Sequence, residues 1–242
     1  MIPSLIGAQT IITRDSWSDI MSEIEEYWGE GYVITDFDYG DGEYVVVLSE
    51  VIGWNDGQMI CYGSQFPEGQ IDEGWRSGYK ITNVMHDGSD WIVIMSDVPL
   101  CENQRWMTDT DWDSFKHKVR RAWRDGMIVT KIACDLTYPT VYCAITSRMD
   151  EPQEQGLKYF PGQPSADMID MCGDDTIIID MYDVDGGILA LTASDTGYND
   201  QVLKVAGSLG SAIEFIKRKW NDNYKITSIC YYKGYWIIAM SY

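Results

Sequence analysis

Histidine is almost missing from this sequence: only His86 and His117 occur in 242 residues. A Cys-His or Ser-His couple has to use one of the two, and neither stands in a nucleophile motif. His117 lies among Lys116, Lys118, Arg120 and Arg121, on a helix read as facing water, and His86 opens a hairpin turn. A pentein-like pairing of His86 with Cys101 has no motif behind it. There is no phosphate-binding glycine loop, no CxxC pair and no metal-ligand spacing. No apolar run approaches the roughly 18 residues of a membrane span, and the opening Met-Ile-Pro-Ser-Leu-Ile-Gly lacks the basic and long apolar regions of a secretory signal. The six cysteines mostly lie within apolar runs, as structural thiols of a reducing compartment do. The expectation is a cytoplasmic protein without cofactor or metal, and not an enzyme.

Basic residues are also scarce, with 18 Lys and Arg against 38 Asp and Glu and a formal net charge of −20. Such a surface repels nucleic acid and anionic membranes, which argues against direct binding of either. It leaves cationic partners and nucleic-acid mimicry open.

What the chain does have is one phrase written five times. Trp75-Arg-Ser-Gly-Tyr-Lys-Ile-Thr82 is matched by Trp28-Gly-Glu-Gly-Tyr-Val-Ile-Thr35, Trp123-Arg-Asp-Gly-Met-Ile-Val-Thr130 and Trp220-Asn-Asp-Asn-Tyr-Lys-Ile-Thr227, with a worn copy at Cys172-Gly-Asp-Asp-Thr-Ile-Ile-Ile179. Successive anchors are 47, 48, 49 and 48 residues apart. Ser49, Ser96, Ser147, Ser194 and Ser241 recur nearly as regularly, each five residues after a large apolar side chain (Tyr44, Trp91, Tyr142, Leu189, Trp236). A fixed period of this length means stacked copies of one supersecondary unit. The chain is therefore expected to be a single domain of repeats 8–49, 57–96, 103–147, 155–194 and 200–242.

Each copy opens on glutamine (Gln9, Gln58, Gln104, Gln155, Gln201) and a short segment that reads as a strand. A helix follows, capped in the first copy by Ser16 or Asp15, with Ile20, Ile24 and Trp28 on one face. Gly31, Gly78, Gly126 and Asn223 stand three residues past the anchor, where a left-handed residue stops a helix. Two strands joined by Gly- and Asp-rich turns such as Tyr39-Gly-Asp-Gly42 complete a βαββ unit. The last strand, Trp236 to Tyr242, is as apolar as any interior one and would be a bare edge in an open stack. The predicted fold is thus α+β, five βαββ repeats of about 48 residues closed into a pseudo-fivefold, α/β-propeller-like ring.

In unit count, unit length and strand-helix content this resembles the pentein α/β-propellers, without their motifs. Residue by residue, Gln58, Phe66-Pro67, Ile71, Trp75, Gly78-Tyr79, Ile81-Thr82, Trp91 and Val93 to Ser96 are similar to an uncharacterised repeat found after the kinase domain of plant casein-kinase-I-like kinases and as free-standing microbial proteins. The resemblance spans essentially the whole chain and is poorest in copy four, where Cys172 replaces Trp; no kinase segment is present. It implies a non-catalytic, interaction-mediating module and transfers no binding residues.

The repeated tryptophans, each with an apolar partner four residues earlier, read as core. Better candidates for function are the loops between units, where Trp54, Asn55, Asp56, Asn103, Tyr198, Asn199 and Asp200 bring aromatic rings next to amides and carboxylates. In a closed ring they gather on one face able to hold a protein or glycan ligand, although Asn, Asp and Gly are also ordinary turn residues. The runs Asp36 to Glu43 and Asp109 to Asp113 alternate carboxylates but lack the offsets of a calcium loop. The first helix is acidic and the third and fifth basic, which allows an acidic partner or self-association. The leading expectation is a non-enzymatic binding module; the alternatives are an acidic DNA-mimic inhibitor and a pentein-like guanidine-modifying enzyme.

Overall fold

The computed structural model describes residues 6–54, 57–98, 102–137, 139–148, 154–173 and 175–242. Repeat one consists of β1 (Ile6–Arg14), α1 (Trp17–Gly29), β2 (Tyr32–Gly40) and β3 (Glu43–Val51). Repeat two is β4 (Gln58–Gly63), α2 (Glu68–Arg76), β5 (Lys80–His86) and β6 (Trp91–Ser96), and repeat three β7 (Glu102–Asp109), α3 (Trp112–Arg124), β8 (Ile128–Asp135) and β9 (Val141–Arg148). Repeat four has β10 (Gln155–Pro161), a single 3-10 turn (Ala166–Met168), β11 (Ile177–Val184) and β12 (Gly187–Ala193); repeat five has β13 (Gln201–Ala206), α4 (Leu209–Asn221), β14 (Lys225–Tyr232) and β15 (Tyr235–Ser241). Among the described residues, four helices and fifteen strands thus form five separate three-stranded antiparallel sheets, each with its third strand in the middle, and no closed barrel. No described helix is long and apolar enough to cross a membrane.

The chain divides into two compact units, residues 1–52 with 154–242 and residues 53–153. The first holds repeats one, four and five, so the first and last repeats share one body. The second holds repeats two and three.

Local signals behave as the spacing predicts. Ser16 caps α1 by accepting from the Asp19 amide, and Asp111 caps α3 by accepting from that of Ser114. Gly31, Gly78 and Gly126 take φ of 85, 94 and 74°, and Asn223 takes 65°. Repeat four departs from the expected βαββ pattern. Its Ser165 cap and the stop at Gly173 (φ 104°) leave room for barely two turns, and only one 3-10 turn forms.

Repeat four also corrects the serine series. Ser49, Ser96 and Ser241 pair across their sheets with Gln9, Gln58 and Gln201, but Gln155 pairs with Ala193. Ala193, not Ser194, is the structural counterpart, and Ile188 rather than Leu189 takes the large-residue position opposite Asp183. A one-residue slip is invisible in spacing, although it moves every side chain to the other face.

The core lies between neighbouring repeats. Alternate residues of β15 serve two clusters: Ile237 and Ala239 pack with Ile178, Ile188 and Ala190 of repeat four, while Trp236, Ile238 and Met240 pack with Phe215 and Ile216 of α4 and Val45 and Val47 of repeat one. A strand buried on both faces reads as a continuous apolar run. That is why the third strands looked uniformly hydrophobic.

The glutamines that open the repeats stitch these interfaces. Gln104 Oε1 accepts from the Ile81 amide (2.5 Å) and the Trp75 indole (3.1 Å), and its Nε2 donates to the Ile81 carbonyl (2.8 Å) and Ser147 Oγ (3.2 Å). Gln9 repeats the pattern between repeats one and five on Ile226, Trp220 and Ser49. Gln201 grips Ile178 and Ser241 and gains Thr227, Cys172 having taken the tryptophan's position. The tryptophans expected in the core are therefore half-buried. Trp75 and Trp220 bond outward to the next repeat.

Candidate ligand-binding face

A bulge in every second strand sets the inner side chains. The register shifts at Thr35, Thr82, Thr130, Ile179 and Thr227, and the residue that follows is a buried polar one in each repeat: Asp36, Asn83, Lys131, Asp180 and Ser228. In the first unit these groups satisfy amides of the neighbouring sheet that would otherwise be orphaned. Ser228 Oγ accepts from Met181 (2.9 Å), Asp36 Oδ2 from Ile229 (2.7 Å) and Asp38 Oδ2 from Tyr231 (2.5 Å). Burial, with Asp183 nearby, raises the Asp38 pKa well above the usual carboxylate range, and burial raises Asp183 to about 6. Burial and the same carboxylates push the Cys230 thiol well up, which removes it as a thiolate nucleophile. These carboxylates hold repeats together.

His86 is equally committed. It lies 3.5 Å from Asp135, edge-on to Trp91, and its Nδ1 accepts from the Gly88 amide, while burial lowers its pKa. Its proposed partner Cys101 lies outside the described residues. The run Asp109 to Asp113 works as helix-start chemistry, with Asp109 accepting from Ser114 and Lys118. Among the described residues no three His, Cys, Asp or Glu side chains are placed to hold a metal ion.

The loop residues singled out from sequence fall in both units. Asn55 and Asp56 lie outside the described residues. Trp54 is half-buried in the second unit between β3 and β4, and Asn103 is exposed within β7 at a register irregularity, with φ 50°. Tyr198, Asn199 and Asp200 come together in the first unit. The amides of Asn199 and Tyr242 bond to Tyr242 O (2.7 Å) and Asp200 O (2.9 Å), and the Asp200 carboxylate accepts from the Gln201 amide and the Tyr224 hydroxyl. That last bond leads the causes raising the Tyr224 pKa to about 12; burial raises Tyr198 to about 12.

Two residues that sequence reasoning passed over complete this end of the unit. Tyr242 is 54% exposed and its ring lies 5.8 Å from that of Tyr224. The signal was present, because a tyrosine follows the helix stop at Tyr32, Tyr79 and Tyr224. In repeat one, Tyr32 meets Tyr27 edge-on, 5.5 Å apart at 77°, with Glu50 and Glu30 close enough to add to burial in raising its pKa. Lys225 Nζ donates to Gly7 O (2.6 Å), which brings the tyrosine-bearing ends of repeats one and five side by side.

The model of a family described as a domain of unknown function, DUF7477, matches residues 12–170. The chain belongs to the DUF7477 family. No curated protein matches it. In this DUF7477 chain the matched stretch runs from β1 to just past the 3-10 turn of repeat four, and therefore includes the Tyr27 and Tyr32 corner. Tyr198, Asp200, Tyr224 and Tyr242 follow it in sequence.

Proposed function

We propose that the chain is a non-enzymatic binding module that presents its strand-connecting ends to a protein or glycan ligand. The observation that carries this is the Tyr198-to-Asp200 loop, pinned to Tyr242 and Tyr224 so that the exposed Tyr242 ring, the Tyr224 ring, an exposed Asn199 side chain and the Asp200 carboxylate lie together. Aromatic platforms with a few fixed polar groups suit sugars and peptides alike. The repeat signature itself is occupied in joining repeats, which leaves the loops as the surface where copies differ. The packing of repeat five against repeat one within the first unit supports this reading, and the five free thiols among the described residues, all buried, favour a reducing compartment.

Glycan-array screening and pull-down with the full chain test the proposal. Tyr198→Ala and Trp54→Ala are expected to weaken a captured ligand by about tenfold, the scale of a lost aromatic contact. Unchanged affinity in both removes the loop face from consideration.

A further inference from the structure

Repeats one and five place the same four positions at this end of the first unit, and fill them differently. In repeat five they are Lys219, Asp222, Tyr224 and Tyr242. The Lys219 ammonium sits over the Tyr224 ring, 4.5 Å from its centroid, and 3.7 Å from the Asp222 carboxylate. The repeat carries its own cation on its own tyrosine, balanced by its own acid.

In repeat one the same positions are Tyr27, Glu30, Tyr32 and Glu50. Where repeat five has its lysine, Tyr27 stands as a second ring at 77° to Tyr32, and where repeat five has Tyr242 there is a second carboxylate, Glu50. Both rings are half-buried and both glutamates are exposed; Glu50 accepts from the Ala8 amide (3.3 Å) and interacts electrostatically with Lys225 of repeat five, while among the described residues no lysine or arginine lies over either ring. We infer that the Tyr27–Tyr32 corner of repeat one, with Glu30 and Glu50, is a site for an alkylammonium group, supplied by a lysine side chain of a partner protein. This rests on the loop-face reading above and narrows it to a cationic protein segment. The edge-on contact covers one ring's face with the other ring's edge, so a cation meets the outer face of a single ring, and two exposed carboxylates steer it, in a chain whose net charge of −20 already draws cationic partners. Repeat five shows an ammonium on the equivalent tyrosine within the molecule, Lys219 over Tyr224, reaching it from the chain position that Tyr27 holds in repeat one.

The test titrates the full chain with a short peptide whose only charge is one lysine, its trimethyl-lysine form and its uncharged norleucine form, and reads amide shifts by NMR. Both charged peptides are expected to move the signals of residues 30–33 and the norleucine peptide to leave them, with a preference between the charged forms reporting which ammonium fits. Tyr27→Lys, which copies repeat five, is expected to abolish the response by filling the corner from within. Lys219→Tyr is expected to create a second responding cluster around Tyr224. Glu30→Gln with Glu50→Gln, surface changes that leave the rings in place, should weaken binding by about tenfold. Equal shifts from the norleucine peptide, or an undiminished response in Tyr27→Lys, overturn the inference. If lysine peptides fail while a neutral glycan perturbs Tyr198 and Asn199, the ammonium site falls and the loop face stands. If neither probe perturbs this end of the unit, both fall.

Discussion

Replacing Gln104 by leucine keeps most of the side-chain volume and removes every hydrogen bond it makes. The Ile81 amide, the Ile81 carbonyl and the Trp75 indole lose their partner, while the Ser147 hydroxyl, which accepts from Gln104, can turn to another partner. Three part-buried polar groups at about 1 kcal/mol each give an expected loss of about 3 kcal/mol. Gln104→Glu keeps the acceptor for the amide and the indole but turns a carboxylate oxygen toward the Ile81 carbonyl, so it should cost less than leucine, about 1–2 kcal/mol. Gln201→Leu is the internal control: with Cys172 in place of the indole, and with the Thr227 hydroxyl keeping Ala239 O and Ser241 as partners, its cost should be smaller by roughly one bond, about 1 kcal/mol. Urea midpoints with slopes measure all three, and hydrogen exchange at the Ile81 amide locates the effect. The double variant Gln104→Leu with Trp75→Phe should show coupling of about 1 kcal/mol. A cost below about 0.5 kcal/mol for Gln104→Leu, the range of an ordinary surface change, would refute the view that glutamines hold the repeats together.

The raised Asp183 pKa, about 6 in the folded chain against about 3.9 unfolded, means its contribution to stability is full below about pH 4 and is lost as pH rises through about 6. Asp183→Asn should therefore be more stable than the parent at pH 8 with a flatter urea-midpoint profile; lower stability there contradicts it. A methyl at Gly40 would lie 2.0 Å from Tyr231 Cγ, so Gly40→Ala should cost about 1–3 kcal/mol in thermal unfolding, partly relieved by Tyr231→Ala; no relief means the clash is not the cause. Cys61, Cys134, Cys143, Cys172 and Cys230 are all buried, and burial raises the Cys61 thiol to about 11. A thiol reagent at pH 8 should label none of these five until the chain unfolds, as peptide mapping will show; rapid native labelling of Cys230 would mean that the inner strands open.

The repeat, its strand-helix order and the ends of its helices were legible in the amino-acid sequence because each depends on residues within a turn or two: a serine cap, an apolar residue every fourth position, a glycine past the last turn. The continuous apolar third strands were legible too, although only the packing explains them, with alternate faces of β15 serving different neighbours. What joins the repeats was not readable. Gln9 meets Ile226 across 217 residues and Asp36 meets Ile229 across 193, and no local pattern encodes a partner that far away. The same limit hid the slip to Ala193, since strand register is chosen by the facing strand. It also hid the tyrosine corner: Tyr27, Glu30, Tyr32 and Glu50 become one surface only once a helix end, the start of an inner strand and the end of a third strand are folded against one another.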